Sequence, residues 1–283
     1  MKILFSISAL CILATGDVLA EDAISVRGST VVAASVALAS NAIKEEIGIE
    51  FKVVTEGGSS DAIYRMASGY VDVALSTHYM AAGEKSEHPE KIFHEMLIGR
   101  QVLAVVVNDV VWRSGVHALT KDQMRGIYEH EITNWKQVGG EDRELTYFNR
   151  EVGHGVWDLF MIFLYGDARK APNSKAEVLA ESEDVRTTIE FNGGSISLIA
   201  LPEAKGESLH VLGIKQADGT VIDPTPENIT SGRYELNRPM LAITGRSLTG
   251  KLRKLFEFLV SEKGQTFVKK AGGVTLAEMK PAK

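Results

Sequence analysis

Three turns in this chain set glycine beside small or polar residues: Gly28-Ser29-Thr30, Gly57-Gly58-Ser59-Ser60 and Gly153-His154-Gly155. Each follows a short apolar run and precedes a helical pattern, and the third comes just after Arg150. The start of a helix leaves backbone N–H groups unpaired and carries a partial positive charge. Glycine lets another group come close to that backbone. Three such turns converging on one point would make a site for an anion. The planar guanidinium of Arg150 could add two parallel hydrogen bonds to an oxyanion. Taken singly, each turn is an ordinary helix cap and Arg150 a surface partner of Glu151. Their joint occurrence is what points to a ligand.

Other chemistry finds less support. Asp72 lies in an apolar strand and is expected to cap a loop or pair with a basic residue. His78, His88, His94 and His130 show no tight metal-ligand spacing. The sequence holds no Gly-x-Ser-x-Gly elbow, no His-Glu-x-x-His and no P-loop. Only His154 stands apart, because it sits inside the third turn. The net charge of −6 argues against nucleic acid and against general attraction of anions. An anion would have to be held by local groups.

The elements that must position these residues alternate along the chain, which indicates an α/β fold. Strands are expected at 23–26, 49–53, 71–76, 101–108, 145–149, 195–201, 209–214 and 240–244. Helices are expected at 31–47, 60–68, 155–165, 250–260 and 264–271. Thr120 with Gln123 forms a capping box for another helix, ending at Tyr128. Thr225-Pro226 opens a short one. Ahead of all these, Lys2, an apolar run over 3–14 and Val18-Leu19-Ala20 before Glu21-Asp22 read as a secretory signal peptide over 1–20. That run is too short to span a bilayer. Cys11, the only cysteine, lies inside it, so the remaining chain would have no disulfide or thiolate chemistry. No linker rich in Pro, Gly or Ser divides the chain. Two lobes, crossed twice near 105–108 and 209–213, fit this pattern.

The order of these pieces resembles the periplasmic phosphate-binding proteins of ABC transporters, the PstS-like members of the type 2 periplasmic binding proteins. Gly28-Ser29-Thr30-Val31 is similar to that family's first phosphate turn and Gly58-Ser59-Ser60 to its second. Val71-Asp72-Val73-Ala74-Leu75-Ser76 resembles the strand that follows. Gly126-Ile127-Tyr128, Ile132-Thr133-Asn134-Trp135 and Val138-Gly139-Gly140 resemble a stretch of the second lobe. Arg150 to Phe160 looks like the arginine turn and its helix. Ser231-Gly232-Arg233-Tyr234 with Arg238-Pro239 resembles the C-terminal return.

The resemblance implies a two-lobed periplasmic-binding-protein fold, each lobe a mostly parallel sheet flanked by helices, joined by two crossover strands. Lobe 1 would hold 21–106 plus 212–283 and lobe 2 would hold 107–211. Carried over by motif, the ligand residues would be Ser29, Thr30, Val31, Ser59, Ser76 and Thr77 from lobe 1. Arg150, His154, Gly155 and Val156 would close over the anion from lobe 2. Two departures stand out. Thr77 replaces an Asp or Arg of other members, so it cannot select hydrogen phosphate as an acceptor-only carboxylate would. His154-Gly155-Val156 replaces the usual Ser-Gly-Thr, which removes a hydroxyl and adds an imidazole. The implied function is an extracytoplasmic solute-binding protein, not an enzyme. It would capture phosphate or a similar oxyanion and deliver it to the membrane permease of an ABC importer. A periplasmic location, a monomer and no cofactor or metal are expected. The alternatives are an anion-sensing module docking on a membrane receptor and a phosphatase using His154.

Overall fold

The computed structural model describes residues 23–280. The expected signal peptide and Cys11 lie outside the described residues. Strand β1 (Val26–Gly28) leads into helices α1 (Thr30–Leu38) and α2 (Ser40–Ile47), then β2 (Val53–Val54), α3 (Gly58–Ala67) and β3 (Val73–Ser76). A short α4 (Ala82–Ser86) precedes the long β4 (His94–Asn108). Next come α5 (Asp109–Arg113), β5 (Ala118–Thr120), α6 (Lys121–Tyr128), β6 (Thr146–Tyr147), α7 (Gly155–Tyr165) and α8 (Ser182–Phe191). The chain continues through β7 (Ser195–Ala200), β8 (Leu209–Lys215), β9 (Val221–Ile222) and α9 (Pro226–Thr230). It ends with β10 (Asn237–Thr244), α10 (Gly250–Val260) and α11 (Glu262–Lys270).

The strands run in the order β2-β1-β3-β10-β4-β7-β6, and β8 joins β4, β5 and β9. The sheet is mixed rather than mostly parallel. β1 is parallel to β2 and β3, β5 to β8, and β6 to β7. The centre is antiparallel, because β10 returns beside β3 and β4, while β4 opposes β7 and β8. The α/β class and the order of elements agree with the sequence.

β4 carries the division into two halves. Its residues up to Val102 pair with β10, and those from Leu103 onward pair with β7 and β8. One core gathers Val32, Ile43, Leu75, Ile98, Met240 and Phe256 beneath α1, α2 and α10. The other gathers Leu119, Trp135, Tyr147, Phe160, Leu212 and Tyr234 around α6 and α7. The expected return crossing near 209–213 is not where the chain goes back. β8 lies antiparallel to the second half of β4, so Leu212, Ile214, Ile222, Ile229 and Leu236 all pack in the second core. The return comes where β10 begins at Asn237.

Two local differences have physical causes. The helix expected over 31–47 is interrupted at Ala39, although the backbone there stays right-handed. One turn earlier the Ser35 hydroxyl donates to the Val32 carbonyl, competing with the helical ladder. β4 starts seven residues before the expected strand at 101, because its first half is only partly buried and carries polar residues that hide the apolar alternation.

Candidate functional site

The first turn is built by a close approach. Gly28 has φ +151°, and a Cβ there would overlap the carbonyl of Leu75 on β3. β1 can therefore lie against β3 up to the point where α1 begins, and the Ser29 amide donates to Leu75 O at 2.9 Å. Ser29 occupies the N-cap of α1, but its side chain makes no capping bond. The first amides of α1, on Thr30 and Val31, are left without helical partners.

The Arg150 turn is built from the other half. Beyond β6, Asn149 pairs with the extended segment at Val178, its amide donating to Glu177 and its carbonyl accepting from Leu179. That pairing brings the next carbonyls to the Arg150 guanidinium. Its Nη2 donates to Ala180 O at 2.9 Å and its Nη1 to Glu181 O at 3.2 Å. The side chain is 2 % exposed, and its Nε has no hydrogen-bond partner among the described residues. No carboxylate forms a salt bridge with it there. Burial pulls its pKa below the ordinary value, while Glu203 and Glu181 pull it back up. A buried guanidinium with a free donor and no carboxylate in direct contact is costly unless an anion completes it.

The third turn starts α7. His154 is its N-cap, and its ring Nδ1 accepts from the Val156 amide at 3.3 Å. Nε2 then carries the proton in the neutral ring. The His154 ring is open to the cleft, yet burial of its inner side and the charge of Arg150 hold its pKa below the usual histidine value. Gly155 meets α1 directly. A Cβ at this position would lie 2.5 Å from Val31 Cγ2 and 3.0 Å from Gln101 Nε2. The starts of α1 and α7 thus face each other across a narrow gap.

These groups open into one cavity of about 440 Å³. Thr30, Val31, Arg150, His154, Gly155 and Val156 all line it. Ser29 is buried and does not line it. Ser59, Ser76 and Thr77 do not line it. The Ser59 hydroxyl accepts from the Thr77 amide at 3.2 Å and lies 3.3 Å from the Thr77 hydroxyl. The Ser76 hydroxyl donates to His78 O at 2.6 Å. The second turn is thereby tied to the end of β3 rather than presented to the cavity.

The cavity also holds residues that the sequence patterns do not single out. Gln101 projects from β4, while Glu181, Ser182 and Glu203 come from the second half and Lys270 from the end of α11. Glu203 is held by the Ser182 hydroxyl at 2.5 Å. Behind the cavity, Arg238 donates to Gln101 Oε1 at 2.7 Å and to Gly155 O at 3.3 Å. Burial lowers the pKa of Arg238 to about 10, which leaves it charged at neutral pH. Asp72 has the structural place expected of it: it accepts from the Ser25 amide and hydroxyl and pairs with Arg246. Among the described residues, no cluster of three His, Cys, Asp or Glu could hold a metal ion.

Comparison with known proteins agrees with this architecture. A family model described as a PBP superfamily domain matches residues 15–263. The phosphate-binding protein PstS of Bacillus subtilis is 25 % identical over 272 residues, covering 94 % of this chain and 85 % of that protein. An ABC-type phosphate transport receptor from Vibrio cholerae superposes with a TM-score of 0.68 at 26 % identity, covering 89 % of this chain and 99 % of that one. A possible phosphate-binding protein from Planctomyces limnophilus has the same fold, with a TM-score of 0.78 at 19 % identity, covering 89 % of this chain and 92 % of that one. The family resemblance carried by the glycine turns and the Arg150 segment is borne out, and the chain belongs to the PBP superfamily.

Proposed function

We propose that this protein is a solute-binding protein that captures phosphate or a closely related oxyanion between its two halves. The observation that carries this function is the buried Arg150, which lines the cavity between two helix starts and whose Nε has no hydrogen-bond partner among the described residues. Amides and a guanidinium can bind a dehydrated anion whose charge the net acidic surface would otherwise repel. The relatives named as phosphate-binding proteins and as an ABC-type phosphate transport receptor support the same ligand class and a membrane permease as the receiving partner. Delivery to an importer requires an extracytoplasmic location, which the signal-peptide pattern over 1–20 supports. The described residues hold no helix long and apolar enough to cross a membrane.

Titration calorimetry of the ligand-stripped protein with phosphate, arsenate and sulfate tests this function. Phosphate and arsenate are expected to bind. Absence of heat with all three would overturn the function. Turnover of an aryl phosphate that disappears in His154→Ala would replace it with a phosphatase.

A further inference from the structure

We propose that the side-chain amide of Gln101 is a direct donor to the bound oxyanion, oriented for that task by Arg238. The inference rests on the oxyanion-binding function above and adds a specificity contact from the strand that joins the two halves.

Gln101 and Arg238 stand directly opposite each other in the antiparallel pair of β4 and β10. Directly opposed residues project from the same face of a sheet, so the two side chains can meet. They do, with Arg238 Nε donating to Gln101 Oε1 at 2.7 Å. A guanidinium offers only donors, so the oxygen of the amide must face it and the alternative flip is excluded. The NH₂ end is then forced away from Arg238. It points to where α7 begins, since Nε2 lies 3.0 Å from the position a Cβ on Gly155 would take.

Gln101 lines the cavity although the residue is only 7 % exposed. Its Nε2 makes no hydrogen bond to any described residue. With its oxygen fixed by Arg238, the amide leaves its two N–H groups at the cavity wall, available to an acceptor inside it. The residues that meet Gln101 at this part of the cavity are Gly155 and Val31, at helix starts whose first amides have no helical partners. Although Glu181 and Glu203 also line the cavity, the corner where Gln101 meets the two helix starts offers donors, which suits a ligand rich in acceptors. An oxyanion presents several lone pairs in a volume that can reach α1, α7 and β4 together. Gln101 supplies this contact without adding charge. It cannot accept a proton from the ligand, so it favours a deprotonated oxygen at that corner.

Gln101→Glu is the discriminating variant. It keeps an oxygen for Arg238 and replaces the NH₂ by a carboxylate oxygen facing the anion. Calorimetry with inorganic phosphate should show affinity reduced about tenfold or more, while the melting temperature of the ligand-free protein stays the same or rises. Wild-type affinity in Gln101→Glu would overturn the assignment. A second measurement does not depend on that variant folding. In ¹⁵N-labelled wild-type protein, the side-chain NH₂ pair missing from the Gln101→Leu spectrum should shift when phosphate is added. If phosphate binds the wild-type protein and that pair does not move, Gln101 is not a ligand contact. If the wild-type protein itself fails to bind phosphate, the oxyanion function falls and the contact with it.

Discussion

Gly155→Ala tests the geometry of the site more sharply than any change to a charged residue. Gly155 is the first residue of α7, and its φ is not among the positive ones, so alanine suits its backbone. Alanine at such a position is even mildly stabilising through the unfolded chain, by about 0.4–1 kcal/mol. The obstacle is across the gap. The new methyl would lie 2.5 Å from Val31 Cγ2, and ordinary carbon contacts sit near 3.5–4 Å, so something must retreat by roughly 1 Å. Val31 is β-branched and helical, which leaves it essentially one χ1 rotamer and little room to turn aside. Overpacking of this kind costs about 1–3 kcal/mol. The cost falls only on the state in which α1 and α7 approach each other. Phosphate affinity should therefore drop by about 5-fold to 150-fold. The ligand-free protein, free to part its halves, should melt close to wild type. Calorimetry reads the first quantity and a thermal melt the second. Val31→Ala removes the colliding methyl and should restore most of the lost affinity in the double variant. Wild-type affinity in Gly155→Ala, or a loss that Val31→Ala does not relieve, would refute the reasoning.

Arg150→Met should weaken phosphate by about 1.5–3 kcal/mol, the scale of a charge-assisted hydrogen bond, and unchanged affinity in calorimetry would take Arg150 out of the site. The lowered pKa of His154 has a consequence for the ligand-free protein. The unfolded chain takes up its proton first, near pH 6.5, so the stability tied to neutral His154 is complete above that value and declines as pH falls toward the folded pKa. Melting temperatures of wild type relative to His154→Asn should diverge as pH falls below about 6.5, and a constant difference would contradict the assignment. Asp72→Ala removes the acceptor for Ser25 and the partner of Arg246. It should cost about 1–2 kcal/mol in denaturant unfolding and leave phosphate affinity alone; an affinity change would place Asp72 in the ligand's reach.

Much of this fold is legible in the sequence where local signals and packing agree. Gly155–Tyr165 and Gly250–Val260 begin at glycine after a turn and carry thick apolar faces, and both helices occupy the expected residues. Thr120 and Gln123 form the expected reciprocal cap. Other elements are hidden for physical reasons. Ser182–Phe191 is rich in β-branched residues of low helix propensity and buries only Val185 and Ile189, so its pattern is thin. Yet its start supplies a carbonyl to Arg150 and two cavity residues. Within the site, the glycine turns and Arg150 could be found because each announces itself locally. Gln101 could not, since its meaning depends on Arg238, 137 residues away. The placing of Ser59 shows the converse. Its residue type suits an anion contact, but only the coordinates reveal that its hydroxyl is engaged by Thr77.

The fifteen residues of β4 run as one strand from one core into the other, with a bulge at Ile98 in its pairing with β10, and the returning segment is laced to them. The Leu103 amide donates to Leu236 O at 2.9 Å, and the Tyr234 hydroxyl donates to Leu103 O at 2.7 Å. The joint therefore behaves as a leaf spring rather than a flexible tether. A paired ribbon resists shear within its plane, so relative movement of the two bodies would fall to bending of the ribbon across that plane. Gln101 and Arg238 are mounted on that spring. A bend of the ribbon would carry this pair with it, which ties the position of the amide in the cavity to the geometry of the joint.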